Sequence, residues 1–313
     1  MAKRAKPTET TTGENEELPH RMCGAMQMHQ SLLESEPTFR KNMVEFEQNM
    51  RSRLRTAMVV RTTPFKIKVV VHVVYQNATQ NISKSQIASQ MKVLNQDFRS
   101  KNADRTKTPA VWKGLVIDPM IEFSLATTDP TGKPTDGITR TATTQNSFGA
   151  DDSVKSAATG GVNAWPTDRY LNIWVCQLSG GLLGYAQFPG GPKRSDGVVI
   201  LHSGFGTSGT ARAPFNKGRT TTHEIGHFFN LRHIWGDTED CSGSDLVADT
   251  PNAETPNYGK PAFPHISCSN GPSGDMFMNY MDYVDDEAMF MFTAGQVARM
   301  HATLAGPRKS LAT

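Results

Sequence analysis

Four side chains in one short run carry the chemistry that this sequence can do: His223, Glu224, His227 and His233. His223 and His227 are four residues apart, so on a helix they lie one turn from each other on the same face and can reach a single ion. Glu224 stands beside them, where a general base must be to take a proton from water activated by that ion. His233 completes a three-imidazole set only if the chain turns sharply, and Asn230 suits the turn because its short polar side chain tolerates positive φ. A bare His-Glu-x-x-His pattern also arises as an ordinary surface or core histidine pair. The third His, with a left-handed-capable residue between, points instead to a catalytic zinc with three protein ligands and an open fourth position.

The sequence predicts the elements that must hold these groups. The Val-rich stretch from Lys66 to Tyr75 reads as a buried strand. Ser83 to Gln86 reads as a capping box opening a helix, with Ile82 stapled to Ile87 and with Ile87, Met91, Leu94 and Phe98 facing inward. Further strands are predicted at Ile121 to Ala126, Tyr170 to Cys176 and Gly197 to Leu201, alternating with helical pieces, which is an α/β (α+β) pattern with a mixed sheet. Thr293 to Gln296 is a second capping box, opening a last helix with Val297, Met300 and Leu304 inward. Upstream, Phe39, Met43, Phe46, Met50 and Leu54 form an apolar stripe on one helix face, followed by the basic residues Arg51, Arg53, Arg55 and Arg61. Residues 1 to about 20 are low in apolar content and are expected to be disordered.

Composition narrows the function classes. A chain of 313 residues buries a substantial core as one domain or two. A net charge of +3, from 33 basic against 30 acidic residues, is too balanced for a nucleic-acid footprint. The longest apolar run, Val69 to Tyr75 interrupted by His72, is far short of the ~20 residues that span a bilayer. The first residues are charged but lack the apolar stretch of a standard secretory signal, which leaves residence in the cell, a missing leader or another export route open. Cys176, inside a strand-like run, is expected to be a buried apolar residue. Gly180 to Pro189 is Gly-dense but lacks the Lys-Ser/Thr ending of a phosphate loop.

Downstream, Met278-Asn279-Tyr280-Met281-Asp282-Tyr283 follows the block from His223 through Ile234-Trp235-Gly236-Asp237. Together these runs resemble the pappalysin family of metzincin zinc peptidases, over a span from about Lys66 to Leu304. The metzincin signature normally has Gly where this chain has Asn230, a mild departure, since both tolerate the turn. The resemblance implies a zincin fold with a twisted mixed sheet, an active-site helix and a smaller irregular C-terminal subdomain. It implies a secreted zinc endopeptidase acting on proteins or peptides, with Met281 in a tight turn beneath the metal; a monomer is expected. Tyr283 carries over as a transition-state donor.

Other family features are carried with alternatives open. The family has a disulfide where Cys241 and Cys268 stand, although two free thiols also fit the residues. Pappalysin-like proforms carry a cysteine switch, and Cys23, between Arg21 and Gly24, matches it as a latent-form zinc ligand; an unremarkable thiol is the alternative. Arg21 would then favour the thiolate. The expected division is a pro-segment 1–61, a catalytic subdomain 62–233 and a C-terminal subdomain 234–313. Gly184, Tyr185, Ala186 and Gln187 match the edge strand that pairs with substrate, or else form a plain Gly-rich loop. Asp245, Asp249 and Thr250 resemble a calcium loop, or else a solvated acidic turn. Asp285, Asp286 and Glu287 lie where metzincins build the pocket for the residue after the cut, which would favour Arg or Lys there. His20, His29, His72, His202, His265 and His301 are expected to be bystanders. Two readings compete: a catalytically silent zinc-binding adhesion module, which would need neither Glu224 nor Tyr283, and a cytosolic factor using zinc for folding, which would rather employ cysteine-rich ligation with a closed site.

Overall fold

The computed structural model of the chain describes residues 20–55 and 62–312. The expected disorder before residue 20 and the expected boundary at Arg61 lie outside the described residues. Helices α1 (Ala25–Ser35) and α2 (Pro37–Arg55) come first, with Pro37 opening α2, a position where its missing N–H costs nothing. The predicted stripe on α2 is buried at Phe39, Met43 and Met50 and half-buried at Phe46.

The Val-rich run forms β1 (Phe65–Tyr75), the centre of a mixed sheet. Helix α3 (Lys84–Asp97) follows it. Parallel strands β2 (Ile121–Leu125) and β3 (Ile138–Ala142) pair with successive halves of β1 on one side, and β4 (Leu171–Cys176) pairs parallel on the other. Beyond β4 lie β6 (Val198–Leu201), parallel, and β5 (Gly184–Ala186), antiparallel to β6 at the edge. The strand β3 was not expected, because its Ile-Thr-Arg-Thr-Ala sequence is half-exposed and polar and carries no apolar run. Helix α4 (Arg219–Phe228) packs against β5, β6 and α3, and α5 (Ala294–Leu304) closes the chain near α2.

One continuous core joins the sheet to these helices through Val69, Val71, Ile173, Ile225, Met281 and Val297. Between α4 and α5 the described residues form turns without a helix or extended strand, as expected for the C-terminal part. Of the two predicted capping boxes, that of Thr293 and Gln296 is complete. At α3 only half forms: Ser83 accepts from the Gln86 N–H, but the Gln86 amide donates to the His202 and Phe205 carbonyls instead of reaching back. No helix among the described residues is long and apolar enough to cross a membrane.

Cys241 and Cys268 are bridged, and Cys176 is buried and free. The bridge spans 27 residues of turns that bury little apolar surface, and chain entropy puts its contribution at about 3.5 kcal/mol. Replacing both cysteines by Ser is therefore expected to lower the melting temperature by several degrees, measurable by calorimetry; an unchanged transition would show that the loop is held by packing alone.

Candidate active site

Helix α4 is buried along its whole length, and it carries His223, Glu224 and His227 on the face turned to the cleft. The chain leaves the helix through Asn230, whose φ of +70° is the left-handed turn expected of it. That turn brings His233 back against the other two rings. The Nε2 atoms lie 3.2 Å (His223 to His227), 3.0 Å (His227 to His233) and 3.3 Å (His223 to His233) apart. Each Nδ1 faces an acceptor: the Tyr280 carbonyl, the Leu231 carbonyl and the Asp237 carboxylate. Carbonyls only accept, so Nδ1 carries the proton on His223 and His227 and their Nε2 lone pairs are bare.

This arrangement fits a zinc ion. Tetrahedral ligands at about 2.0–2.1 Å from a metal stand about 3.3 Å from one another, close to the spacings found. Bare lone pairs so close in a buried setting repel, and a cation among them removes the repulsion. Burial and the neighbouring rings push His223 and His227 well below the usual histidine range, so they stay neutral and ready to ligate.

Met281 lies directly under the helix. A side chain at Gly226 would put Cβ 2.3 Å from the Met281 sulfur, so the methionine side chain would have to move aside to admit one. The same turn supplies the Tyr280 carbonyl that orients His223. Glu224 is 1% exposed, and burial pushes its carboxyl up to about 8, against the pull of Cys23 and Arg21. Gly184 is its neighbour in β5, where a Cβ would lie 3.0 Å from Glu224 Oε1.

The segment 21–24 crosses this cleft. Its main chain pairs with the free edge of β5: Gly24 N–H donates to the Gly184 carbonyl at 2.9 Å, and Leu183 N–H donates to the Met22 carbonyl at 2.9 Å. Cys23 Sγ belongs to the same cluster as the three imidazoles, all ligand atoms lying within 4.8 Å of one another, and sits 3.5 Å from Glu224 Oε2. The Tyr283 hydroxyl donates to the Cys23 carbonyl at 3.4 Å. Burial and Glu224 hold the Cys23 thiol well above its ordinary range. Arg21, expected to favour the thiolate, is instead engaged elsewhere: it donates to Asp286, Thr220 and the Val284 carbonyl.

The remaining predicted residues divide. In β5, Gly184 presents its carbonyl to the cleft and strand alternation turns Ala186 the same way, whereas Tyr185 pairs with Val199 and Gln187 N–H donates to Gly197 on the inner side. Leu183, not singled out in the sequence, shares the cleft edge. Asp245 and Thr250 meet, with Thr250 Oγ1 donating to both Asp245 and the Val247 carbonyl, but Asp249 points away to accept from Thr293 Oγ1 and Gly295 N–H at the start of α5. Asp286 is buried, while Glu287 lies outside, where Lys260 and Lys217 lower its carboxyl to about 2. The six bystander histidines lie outside the metal-binding cluster. Trp235 and Asp237, read in the sequence only as part of the family-like run and given no role there, grip the His233 ring; the Gly-Asp pair closing four residues after a ligand was the available signal.

Metzincins are the class of zinc peptidase that combines such a tripod with a methionine turn beneath it, and both fold and site are of that class. The peptidase M43 family model, described as pregnancy-associated plasma protein-A, matches residues 156–305. An extracellular metalloprotease of Pyricularia oryzae is 30% identical over 90% of this chain and 88% of its own. Mature mirolysin of Tannerella forsythia, solved with a cleaved peptide, is 52% identical over 80% of this chain and 96% of its own, with a TM-score of 0.78. A promirolysin mutant from the same organism is 47% identical over 93% of this chain and 97% of its own, with a TM-score of 0.85. The chain belongs to the pappalysin family of metzincins, as a zinc-dependent endopeptidase made as a proform.

Proposed function

We propose that residues 20–24 hold this endopeptidase latent and that, once they leave, it cuts peptides ahead of a basic residue. The observation that carries the reading is the seat of Arg21. Its guanidinium is buried beside the metal cluster, with Nη2 donating to Asp286 Oδ1 at 2.6 Å, Nη1 to Thr220 Oγ1 at 3.2 Å and Nε to the Val284 carbonyl at 3.2 Å. Phe215 packs under it at 5.0 Å. A recess that satisfies a guanidinium in this way suits an arginine of a substrate, and its buried carboxylate can pair with a lysine as a point charge. Asp286 is the part of the acidic run that does this.

In this reading the pro-segment is 1–61, with the catalytic subdomain 62–233 and the C-terminal subdomain 234–313 behind it. The wider match to the proform than to mature mirolysin supports the first boundary. Cys23 serves as the latent-form ligand, and ionisation of its buried thiol depends on the cation rather than on Arg21.

Zinc, when held by His223, His227 and His233, supplies the Lewis acidity that makes water nucleophilic near neutral pH and polarises a carbonyl. Glu224 accepts the proton of that water and delivers it to the leaving amine. Tyr283 donates to the substrate carbonyl oxygen as negative charge grows there, as its hydroxyl now does to the carbonyl of Cys23. Gly184 and Ala186 hold the substrate backbone by main-chain pairing, which accepts most sequences, so selection falls to the Asp286 recess. Met281 supports the ligands from below.

Secretion and action on protein or peptide substrates complete the reading, supported by relatives named extracellular metalloproteases. A monomer suffices, because one chain supplies ligands, base and cleft. Calcium is proposed at Asp245 and Thr250, whose side chains meet in this loop. Asp249 would join only by sharing its contacts to α5.

Asp286→Asn tests the specificity. Losing one partner of a buried charge pair costs about 2–5 kcal/mol, so kcat/KM for peptides with Arg or Lys after the cut is expected to fall about 30-fold or more, with neutral peptides little affected. An unchanged cleavage profile on a peptide library would remove the basic preference.

A further inference from the structure

The three ligand rings are not held alike. His223 and His227 donate from Nδ1 to neutral backbone carbonyls, at 2.7 and 2.8 Å. His233 faces a carboxylate instead, with Nδ1 2.5 Å from Asp237 Oδ1. The same ring lies flat on Trp235, with centroids 4.3 Å apart and planes 8° from parallel. A tight return of the chain makes this grip. Gly236 N–H donates to the His233 carbonyl at 2.9 Å, and Gly236 and Asp237 have φ of +70° and +59°. Position 236 must be glycine, since a Cβ there would lie 2.1 Å from the Ser244 backbone nitrogen. Position 237 needs a residue that tolerates the left-handed region, which Asp and Asn do.

We infer that Asp237 is a positioning residue for the metal: it fixes the proton of His233 on Nδ1 and strengthens Nε2 as a donor, so that His233 is the ligand that decides how firmly zinc is kept. A carboxylate behind an imidazole adds negative charge to the ring and makes the opposite nitrogen a better electron-pair donor than a carbonyl does. Trp235 fixes the plane, leaving the hydrogen bond as the remaining control of ring rotation. The loop at Gly243 and Ser244 packs against Gly236 and holds the turn in place. The inference rests on the zinc reading of the site.

The test uses the full-length chain carrying Glu224→Ala, which prevents self-digestion, with Asp237→Ala and Asp237→Asn added singly. Zinc affinity is read by competition with a chromogenic chelator, and ligand geometry by the visible absorption of the cobalt(II)-loaded forms. Asp237→Ala is expected to weaken zinc binding about 10- to 100-fold. Asp237→Asn keeps the turn and an acceptor but loses the charge, so it should fall between Ala and the parent, with a shifted cobalt spectrum. A parent chain that takes up no zinc would sink the metal reading itself. A parent that binds zinc, with both variants within twofold of it and spectrally identical, would overturn the role of Asp237 alone. If Asp237→Ala fails to fold, Asp237→Asn decides; failure of both to fold would assign Asp237 to the fold and overturn the inference.

Discussion

Glu224→Ala is expected to lower peptide hydrolysis by about 100- to 10,000-fold, the range that a positioned general base supplies, while bound zinc stays at one equivalent. The separation of the two readouts follows from the geometry. Glu224 is on the same helix as two ligands but is not one of the clustered ligand groups; its carboxylate lies against Cys23 and β5. Removing it leaves the three imidazoles and their Nδ1 partners untouched. Steady-state cleavage of a basic peptide, paired with metal analysis of the same sample, reads both. Turnover that survives the substitution would exclude Glu224 as the base; zinc lost along with activity would make it a part of the metal site.

The second large effect is on stability. Arg219, the first residue of α4, is 6% exposed and pairs with Asp97 of α3 and with Asp104, and its Nη1 lies 2.5 Å from the Tyr280 hydroxyl. Asp97 also accepts from Thr222 Oγ1 at 2.6 Å, and burial pushes its carboxyl up to about 6 against the pull of Arg219. Arg219→Met would leave these carboxylates without their cation. Breaking a buried pair from one side costs about 3–5 kcal/mol. For a chain of this size the melting temperature should then fall by about 10 °C. Because the network ties α3, α4 and the Tyr280 turn together, zinc should also dissociate faster from the variant. A melting temperature within about 2 °C of the parent would mean that the network is replaceable by apolar packing.

Much of the site was readable from residue spacing, because the features concerned are local. A four-residue interval puts His223 and His227 on one helix face by backbone geometry alone, and Asn230 takes positive φ because few other side chains can. The strands at β1, β2, β4 and β6 follow from apolar runs, and the box at Thr293 follows from residues three apart. Local rules failed where a neighbour distant in the chain competed for the same group. Gln86 abandons its cap for carbonyls more than a hundred residues away, and β3 forms from polar residues because the edge of β1 is there to pair with.

Packing alone decided the rest. The Met281 sulfur lies against Gly226, the Tyr280 carbonyl orients His223 from 57 positions along the chain, and Arg21 finds Asp286 across 265. Spacing along a regular backbone nominated His223, because it sets what lies on one helix face, and the family resemblance nominated Met281, Arg21 and Asp286, whereas Gly226 and the Tyr280 carbonyl carried no signal of their own. The sequence could not say which groups would meet, because contacts between remote segments arise only when the core closes and every buried polar atom must find a partner.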